Sequence, residues 1–282
     1  MEARKVAVVT GAASGIGRGL ARIADERGMQ VVIADVDEAG LARLAADLGG
    51  RPLAVRTDVS DTVSVDALAE RVFAEFGRTD ILFNNAGLLS GGLSWKIPTD
   101  RWRRILDVNV MGVVNGVASF VPRMIETNLA CRIVNTASIG GFVSSPLIAP
   151  YTASKFAVVA LTEALAIELQ LENSKVAVSV LAPGAVRSEI YAETRGARSE
   201  DSVDRSISAM RDFTEQTGMD PDDFARWAFA GIDDGQFWLI MQPEIYGAAI
   251  ADRTRRALEG INPLPAHYGS AMADPDTSKE GR

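Results

Sequence analysis

Short apolar runs alternate with longer amphipathic stretches along most of the chain. The runs are KVAVVT, QVVIAD, PLAVRT, DILFNN, RIVNTAS and VAVSVLAPG. They are rich in β-branched residues and lack a strict apolar–polar alternation, which is typical of strands that are covered on both faces. Helices are predicted between them, over residues 15–27, 38–48 and about 61–77. This order predicts an α/β fold built on a doubly wound parallel sheet.

The pattern predicts a single catalytic domain over residues 1–268. The alternation stops at about residues 188–219, where a polar segment with scattered apolar positions predicts short helices that form a lid, mobile without substrate. A helix with Pro221 in its first turn follows, then a last strand, QFWLIM, and a C-terminal extension with a helix over about 244–258. The tail, residues 269–282, is predicted to be disordered.

Composition narrows the function classes. The net charge of −8 over 282 residues argues against nucleic acid or an anionic membrane as partner. No apolar run approaches the ~18 residues that span a bilayer, and no signal peptide precedes the first strand, so a cytoplasmic protein is expected. The single Cys131 excludes an intrachain disulfide, and with the single His267 it leaves no metal site to predict.

A glycine-rich turn, TGAASGIG, joins the first strand to the first helix. Gly11, Gly15 and Gly17 permit a tight turn and let a pyrophosphate approach the amides at the helix N-terminus. Their spacing is wider than that of the common dinucleotide fingerprint, so the turn alone is also compatible with a loop that binds nothing.

Asp35, about twenty residues on, supports a dinucleotide. It ends the second strand, where a carboxylate accepts hydrogen bonds from the adenosine ribose. The same carboxylate would repel the 2′-phosphate of NADP, and neither Val36 nor Ser14 offers a compensating charge. Arg18 lies nearby, but on the helix beyond the turn. The sequence therefore favours NAD as cofactor.

Tyr151 and Lys155 stand four residues apart at the start of a predicted helix, one turn apart on one face. This spacing alone could arise by chance. In their order along the chain, however, the motifs TGAASGIG, TDVSD, NNAG, LDVNVMGV, IVNTASIGG, YTASK and APG resemble those of the short-chain dehydrogenase/reductase family, in its NAD-preferring branch. The resemblance extends from residue 5 to about residue 188 and implies a Rossmann fold.

The resemblance also assigns roles to residues. It implies a catalytic set of Asn109, Ser138, Tyr151 and Lys155. It implies cofactor contacts from Gly11, Ser14, Gly15, Ile16, Gly17, Asp35, Asp58, Val59, Asn85, Ala86, Gly87, Tyr151, Lys155, Pro183, Gly184, Val186 and Ser188.

The implied chemistry is hydride transfer between a carbinol carbon and nicotinamide, with Tyr151 as acid and base. A phenol has a pKa of ~10, so work near neutrality needs that pKa lowered by roughly 3, which corresponds to ~4 kcal/mol. The ammonium of Lys155 and the oxidised nicotinamide would supply this. Ser138 would hold the substrate oxygen, and Asn109, at a distorted place in its helix, would anchor a water that links Lys155 to solvent.

The substrate is less determined. Pocket candidates are Gly140, Phe142, Ser144, Leu147, Tyr191, Met210 and Phe213, with Leu88, Leu89, Trp95 and Ile207. This neutral, apolar set predicts a hydrophobic secondary alcohol or ketone, aryl-bearing or of steroid or terpenoid type. Arg195 and Arg198 leave open an acidic carrier protein, as for an NADP-dependent ketoacyl or carbonyl reductase. A dinucleotide-binding sensor or scaffold without turnover is a third reading.

A small-molecule substrate and a second copy of the chain are the partners expected. Helices around residues 100–126 and 151–172 would pair with their symmetry mates, as in the family. Many family members end with a strand that runs into an Asp-Gly-Gly sequence, which helps to build a tetramer. The C-terminal extension takes that place in this chain. The sequence therefore predicts a homodimer or a homotetramer.

Overall fold

A computed structural model of the protein describes residues 4–191 and 201–263. Seven parallel strands form one sheet in the order β3-β2-β1-β4-β5-β6-β7. The strands are β1 Val6–Thr10, β2 Gln30–Asp35, β3 Leu53–Arg56, β4 Ile81–Asn84, β5 Cys131–Thr136, β6 Val176–Ala182 and β7 Trp238–Ile240. The strand order reverses between β1 and β4, which is where a doubly wound sheet opens a ligand crevice. The predicted Rossmann-type fold is confirmed.

Helices cover both faces of this sheet. They are α1 Gly15–Glu26, α2 Glu38–Asp47, α3 Thr62–Phe76, α4 Thr99–Leu106, α5 Gly112–Glu126, α6 Ala149–Leu171, α7 Asp201–Thr217, α8 Pro221–Asp233 and α9 Pro243–Glu259. A π-helical turn, Asp107–Met111, joins α4 to α5, and a 3-10 turn, Ile139–Gly141, follows β5.

The lid prediction needs correction in one respect. The segment holds one helix of 17 residues, α7, where short helices were expected. Arg195, Arg198 and His267 lie outside the described residues, as does the tail predicted to be disordered.

Local sequence explains where several helices begin and end. The Asp61 carboxylate accepts from the Val63 amide at 3.0 Å and caps α3. Gly77 ends the same helix with a φ of 68°, the left-handed conformation that glycine adopts at little cost. Asp220 caps α8 in the same way, and Pro221 occupies its first turn as predicted. These signals fix the helices independently of tertiary contacts.

Two apolar layers hold the sheet between the helices. All five residues of β1 are buried. On one face Phe83 of β4 meets Phe229 of α8 edge-on, with ring centroids 5.5 Å apart. On the other face Leu68 and Phe120, both fully buried, pack from α3 and α5. Burial on both faces accounts for the uninterrupted apolar runs of the strands.

One helical run corrects the expectation that no segment is apolar enough to span a membrane. Thr99–Glu126, which comprises α4, the π turn and α5, contains an 18-residue window of mean hydropathy 1.5. Half of that window is buried inside the protein. The core helix of a globular protein passes the same test, so the run is weak evidence for a membrane span.

Candidate active site

The glycine turn lies against the end of β4, and the contact explains its glycines. Gly11 has a φ of +65°, and a Cβ there would lie 2.7 Å from the Cα of Ala86. A Cβ on Gly17 would lie 2.7 Å from the side-chain nitrogen of Asn85. Larger residues would push the turn off the sheet. The glycines thus let the N-terminus of α1 open directly onto the carboxyl edge of the strands.

Three polar side chains tie the ends of β1, β4 and β5 together. The Asn85 side chain donates to the carbonyl of Thr10 at 3.0 Å, and the Asn85 amide donates to the Thr10 hydroxyl at 2.9 Å. The Thr136 hydroxyl donates to the Asn85 side-chain oxygen at 3.3 Å. This network holds the loop that begins at Asn85 beside the glycine turn. Thr10 and Thr136 were not among the sequence-predicted site residues.

A cleft of about 970 Å³ runs along this edge of the sheet. Its lining includes the predicted cofactor residues Gly11, Ser14, Gly15, Ile16, Gly17, Asp35, Asp58, Val59, Asn85, Ala86, Gly87, Tyr151, Lys155, Pro183 and Ser188. Gly184 and Val186 lie outside that lining. The cleft has a volume and a glycine-rich lining that suit a dinucleotide, so the residues present fit such a cofactor.

Asp35 stands at one end of the cleft with its carboxylate fixed. One carboxylate oxygen accepts from the Ala13 amide at 2.9 Å, and the other accepts from the Asp37 amide at 3.0 Å. Two backbone donors therefore orient the group, and each oxygen keeps a lone pair that can accept from a ribose hydroxyl.

Arginines surround Asp35, and sequence reasoning had weighed only Arg18. Arg43 also lines the cleft, where it pairs with Asp37 at 3.5 Å. Arg56 pairs with Glu38 at 3.3 Å. Both arginines are thus engaged with neighbouring carboxylates. These pairs are exposed, so each contributes little on its own.

Asp58 and Val59 lie at the same end of the cleft. The Asp58 carboxylate accepts from the amide of Ser60 at 3.0 Å and from its hydroxyl at 2.6 Å, so it caps its own loop. Val59 is buried, and a Cβ on Gly112 would lie 2.8 Å from its side chain. The loop is therefore held firmly at this end of the cleft.

Tyr151 and Lys155 lie at the opposite end, in the first turns of α6. Both are buried, and the Lys155 ammonium is 5.5 Å from the centre of the Tyr151 ring. The ammonium donates to the Thr136 carbonyl at 2.8 Å. Burial lowers the pKa of Lys155 to about 8, because removal from water disfavours the charged form.

Burial raises the pKa of Tyr151 to about 12, and the Ser138 hydroxyl partly opposes that rise. A nearby phenol, that of Tyr191, adds to it. The protein alone therefore keeps Tyr151 protonated at neutral pH. The lowering of this pKa that the sequence analysis expected from Lys155 and the oxidised nicotinamide stays a prediction.

Ser138 lies beside Tyr151 at the end of β5. Its hydroxyl is oriented by the Gly140 amide, which donates to it at 3.0 Å, and by the Pro183 carbonyl, to which it donates at 3.4 Å. A Cβ on Gly140 would lie 3.6 Å from the Tyr151 ring, so Gly140 lies beside both Ser138 and Tyr151. The serine and the tyrosine thus present two hydroxyls to one point.

The distortion expected at Asn109 is confirmed, because Asn109 lies in the π turn and is fully buried. Its side-chain oxygen accepts from the Leu88 amide at 2.7 Å. Its side-chain nitrogen donates to the Leu88 carbonyl and to the Ser154 hydroxyl, both at 2.9 Å. The side chain therefore fastens the loop after β4 to α6. The expected hydrogen bond to a water stays a prediction.

The pocket candidates divide into two groups. Leu89 packs with Ile148 and Tyr151, and Tyr191 lies against that cluster. Ile207 of α7 is buried against the loop at Gly91, next to the Leu147 carbonyl.

Other candidates lie away from that cluster. Phe142 is half-buried and packs edge-on against Trp238, with ring centroids 5.8 Å apart. Ser144 is exposed, Phe213 is 47% exposed and Trp95 is 78% exposed. That these residues line the substrate pocket stays a prediction. Met210 is half-buried on α7, and its carbonyl accepts a hydrogen bond from the Thr214 hydroxyl.

Two further residues near the site were also missed by sequence reasoning. Ile190 lines the cleft beside Ser188, and its apolar character in the polar segment was the available signal. Tyr246, from α9, lies against Gly184, where a Cβ would come within 2.7 Å of the phenol. Arg253 of α9 stacks over Phe156 of α6, 4.6 Å from its centre. The C-terminal extension therefore reaches the segment that follows β6.

Comparison with known proteins agrees with this geometry. The model of the short chain dehydrogenase family matches residues 5–199. A crystal structure of a short chain dehydrogenase/reductase from Burkholderia phymatum, in complex with NAD, superposes with a TM-score of 0.88 at 37% identity over 93% of this chain and 97% of that one. The CLA biosynthesis dehydrogenase/reductase of Lactiplantibacillus plantarum is 35% identical over 89% of this chain and 92% of its own. A 1-deoxy-11-beta-hydroxypentalenate dehydrogenase of Streptomyces exfoliatus is 39% identical over 84% and 82%. The chain therefore belongs to the short-chain dehydrogenase family of oxidoreductases.

Proposed function

We propose that the protein is an NAD(H)-dependent oxidoreductase that interconverts a hydrophobic secondary alcohol and its ketone. The observation that carries the proposal is that Tyr151 and Lys155 line one end of a cleft whose other end holds Asp35, with the Ser138 hydroxyl beside Tyr151. We further propose that it acts in the cytoplasm as a homodimer or homotetramer.

The residues at the tyrosine end act on the substrate oxygen. Bound nicotinamide supplies the hydride for reduction or accepts it in oxidation. Ser138 and Tyr151 hold the carbonyl oxygen between two hydroxyls, and Tyr151 donates its proton to that oxygen as the carbon is reduced. A phenol that burial keeps protonated suits this donor role. In the reverse direction the same oxygen of Tyr151 takes up the proton of the alcohol.

Lys155 has two roles, one in the proton transfer and one in binding the cofactor. Its ammonium, held by the Thr136 carbonyl at 2.8 Å, stabilises the phenolate that is left when Tyr151 has given up its proton. From the same position the ammonium can donate to a nicotinamide ribose. Asn109 fixes the loop at Leu88, which keeps the cleft at its width.

The apolar wall beside Tyr151 supports a hydrophobic substrate. Leu89 and Ile148 are buried there, and Ile190 packs against them. Burial of an apolar group of the substrate against such a wall contributes about 25 cal/mol per Å². The relative from Streptomyces exfoliatus is, by its name, a dehydrogenase of a hydroxypentalenate.

The test is a panel of secondary alcohols with NAD and of the matching ketones with NADH, followed at the NADH absorbance. Aryl, terpenoid and steroid alcohols should be turned over faster than short, polar ones. Binding of NADH without turnover of any member of the panel would favour a dinucleotide-binding sensor. Turnover restricted to acyl groups on a carrier protein would favour the ketoacyl reductase.

A further inference from the structure

A group of hydrogen bonds joins the chain after β6 to the chain before α8. The Arg187 amide donates to the Met219 carbonyl at 3.0 Å, and the Met219 amide donates to the Ala185 carbonyl at 3.0 Å. The Arg187 side chain donates to the Gly218 carbonyl at 3.2 Å and to Oδ2 of Asp220 at 2.8 Å. These four contacts form a clamp between two parts of the chain, and we call it the stem clamp.

One side of the stem clamp is fixed to α1, the helix that begins in the glycine turn. Pro221, which follows Asp220, packs so closely on α1 that a Cβ on Gly19 would lie 2.3 Å from the Pro221 carbonyl oxygen. Arg22 of α1 also pairs with Asp222 of α8 at 3.2 Å. Asp220 caps α8, because its Oδ1 accepts from the Asp222 amide at 2.9 Å. The carboxylate in the stem clamp therefore has a fixed position relative to α1.

The other side of the stem clamp leads directly into the cleft. Ser188, the residue after Arg187, lines the cleft, and a Cβ on Gly15 would lie 2.7 Å from the Cβ of Ser188. Gly15 is the first residue of α1, where a phosphate of the dinucleotide would meet the helix N-terminus. The contacts therefore close a ring that runs from α1 through α8 and Arg187 back to the start of α1.

The ion pair between Arg187 and Asp220 is the charged link in this ring. The Asp222 amide and the Arg187 guanidinium both lower the pKa of Asp220, so the carboxylate is ionised at neutral pH. Both side chains of the pair are partly exposed, so the pair contributes little to the stability of the whole fold. Its effect is therefore expected on the local position of Ser188.

We propose that Arg187 is a positioning residue for the cofactor: through its ion pair with Asp220 it holds Ser188 against the N-terminus of α1 and so raises the affinity for the dinucleotide. The proposal rests on the proposed function, since it concerns the same cleft. Without the pair, a smaller fraction of the molecules holds Ser188 against the glycine turn. The apparent dissociation constant then rises as that fraction falls.

The test compares the dissociation constant of NADH, from fluorescence titration, with that of adenosine, from competition with NADH. Adenosine reaches only the Asp35 end of the cleft, so it reports a general disturbance of the site. Arg187→Met should raise the NADH constant on the order of fivefold, about the most that an exposed ion pair contributes, and leave the adenosine constant unchanged. Asp220→Asn should do the same, because asparagine can keep the cap of α8 while the charge is lost.

A conservative variant and a matched control complete the set. Arg187→Lys should recover part of the affinity, since an ammonium can still pair with Asp220 but lacks the fork of the guanidinium. The double variant should bind NADH no more weakly than either single variant, because both remove the same pair. Arg226→Met is the control and should leave the NADH constant unchanged. Arg226 of α8 pairs with Glu26 of α1 at 2.9 Å and is similarly exposed, but neither residue lines the cleft.

The outcomes separate this proposal from the proposed function. An NADH constant that neither Arg187→Met nor Asp220→Asn changes would overturn the positioning role, while NADH binding and turnover by the native protein still supported the oxidoreductase. Equal losses for NADH and adenosine, or an equal effect of Arg226→Met, would also overturn it, since either would show a general disturbance of the fold. A native protein that binds no NADH would overturn the proposed function and this proposal with it.

Discussion

Tyr151 shows how a single residue takes its chemistry from burial. Its pKa is raised to about 12, so the phenol is a weaker acid in the fold than in water. The proton transfer and the choice of cofactor each depend on a single side chain, Tyr151 and Asp35, so substitutions at these residues test them.

Replacing Tyr151 with phenylalanine removes the proton and little else. We expect Tyr151→Phe to reduce kcat by a factor on the order of a hundred or more, the usual contribution of an acid or base in position. NADH affinity, measured by fluorescence titration, should stay within a few fold, because the ring and its contacts remain. A variant that retained more than a few per cent of the native rate would show that another group moves the proton.

Cofactor choice rests on Asp35. Its carboxylate would meet the 2′-phosphate of NADP as a like charge, and such juxtaposition costs several kcal/mol. We expect kcat/KM with NAD to exceed that with NADP by about a hundredfold or more. Asp35→Ala combined with Val36→Arg should shrink or reverse that ratio, since Val36 is 54% exposed and an arginine there can reach the phosphate.

The control for this prediction is Val36→Arg alone, which adds the phosphate partner and keeps the repulsion. Arg18 and Arg43 both line this end of the cleft and are the groups that could offset Asp35. Equal efficiency of the unmodified enzyme with the two cofactors would mean that Asp35 does not face the ribose.

At the scale of elements, α7 differs from the helix that follows it. Among its described side chains only Ile207 and Thr214 are buried, and they contact the loop at Gly91 and Tyr191. By contrast α8 buries Phe224, Phe229 and other residues against α1 and the sheet. Few buried apolar contacts mean a low free energy of local opening.

We expect the amides of α7 to exchange with deuterium faster than those of α8 in the NADH complex, and to slow when a substrate analogue binds. Measured in the same sample, α8 serves as the reference for a helix that is buried against the sheet. Protection of α7 equal to that of β4 and β5, before any analogue is added, would contradict a gating role for this helix.

At the scale of the whole molecule, the burial of Lys155 makes the free energy of unfolding depend on pH. Burial lowers its pKa from 10.5 to about 8, so between those values the unfolded chain binds one proton more than the folded one. The free energy of unfolding that is due to Lys155 must then rise with pH over that window, by up to about 3 kcal/mol. Tyr151 and Cys131, whose pKa values are raised to about 12 and about 11, act in the opposite direction at higher pH.

Comparison with Lys155→Met isolates the lysine. In urea unfolding of the cofactor-free protein, the stability of the native chain minus that of the variant should increase from pH 8 to pH 10.5. Because Tyr151 and Cys131 are present in both proteins, their opposing effects largely cancel in the difference. A difference that stays constant with pH would show that Lys155 keeps its charge in the fold.

Exposed apolar residues on two helices are the basis for our proposal that the protein self-associates. Ile167 and Leu171 on α6 are 59% and 76% exposed, and Met111 and Ile125 on the neighbouring helical run are 43% and 44% exposed. Apolar side chains at these positions fit the symmetric helix pairing expected from the sequence. We expect Ile167→Glu with Leu171→Glu to yield monomers in analytical ultracentrifugation, whereas Val63→Glu, an equally exposed apolar site on α3, should not.

The sequence by itself determined the sheet, the glycine turn and the pairing of Tyr151 with Lys155. Each of these depends on neighbours along the chain: runs of β-branched residues, a close approach that only glycine permits, and a spacing of one helical turn. The caps at Asp61 and Asp220 are local in the same way.

Only the tertiary structure decided which candidate side chains lie beside Tyr151. Phe142 was expected in the pocket, and the fold packs it against Trp238, almost a hundred residues later. Tyr246 reaches Gly184 because α9 folds back onto α6, and Ile207 of α7 is buried against the loop at Gly91. These contacts join segments far apart in the chain, and their free energy depends on packing between elements, which no local pattern encodes.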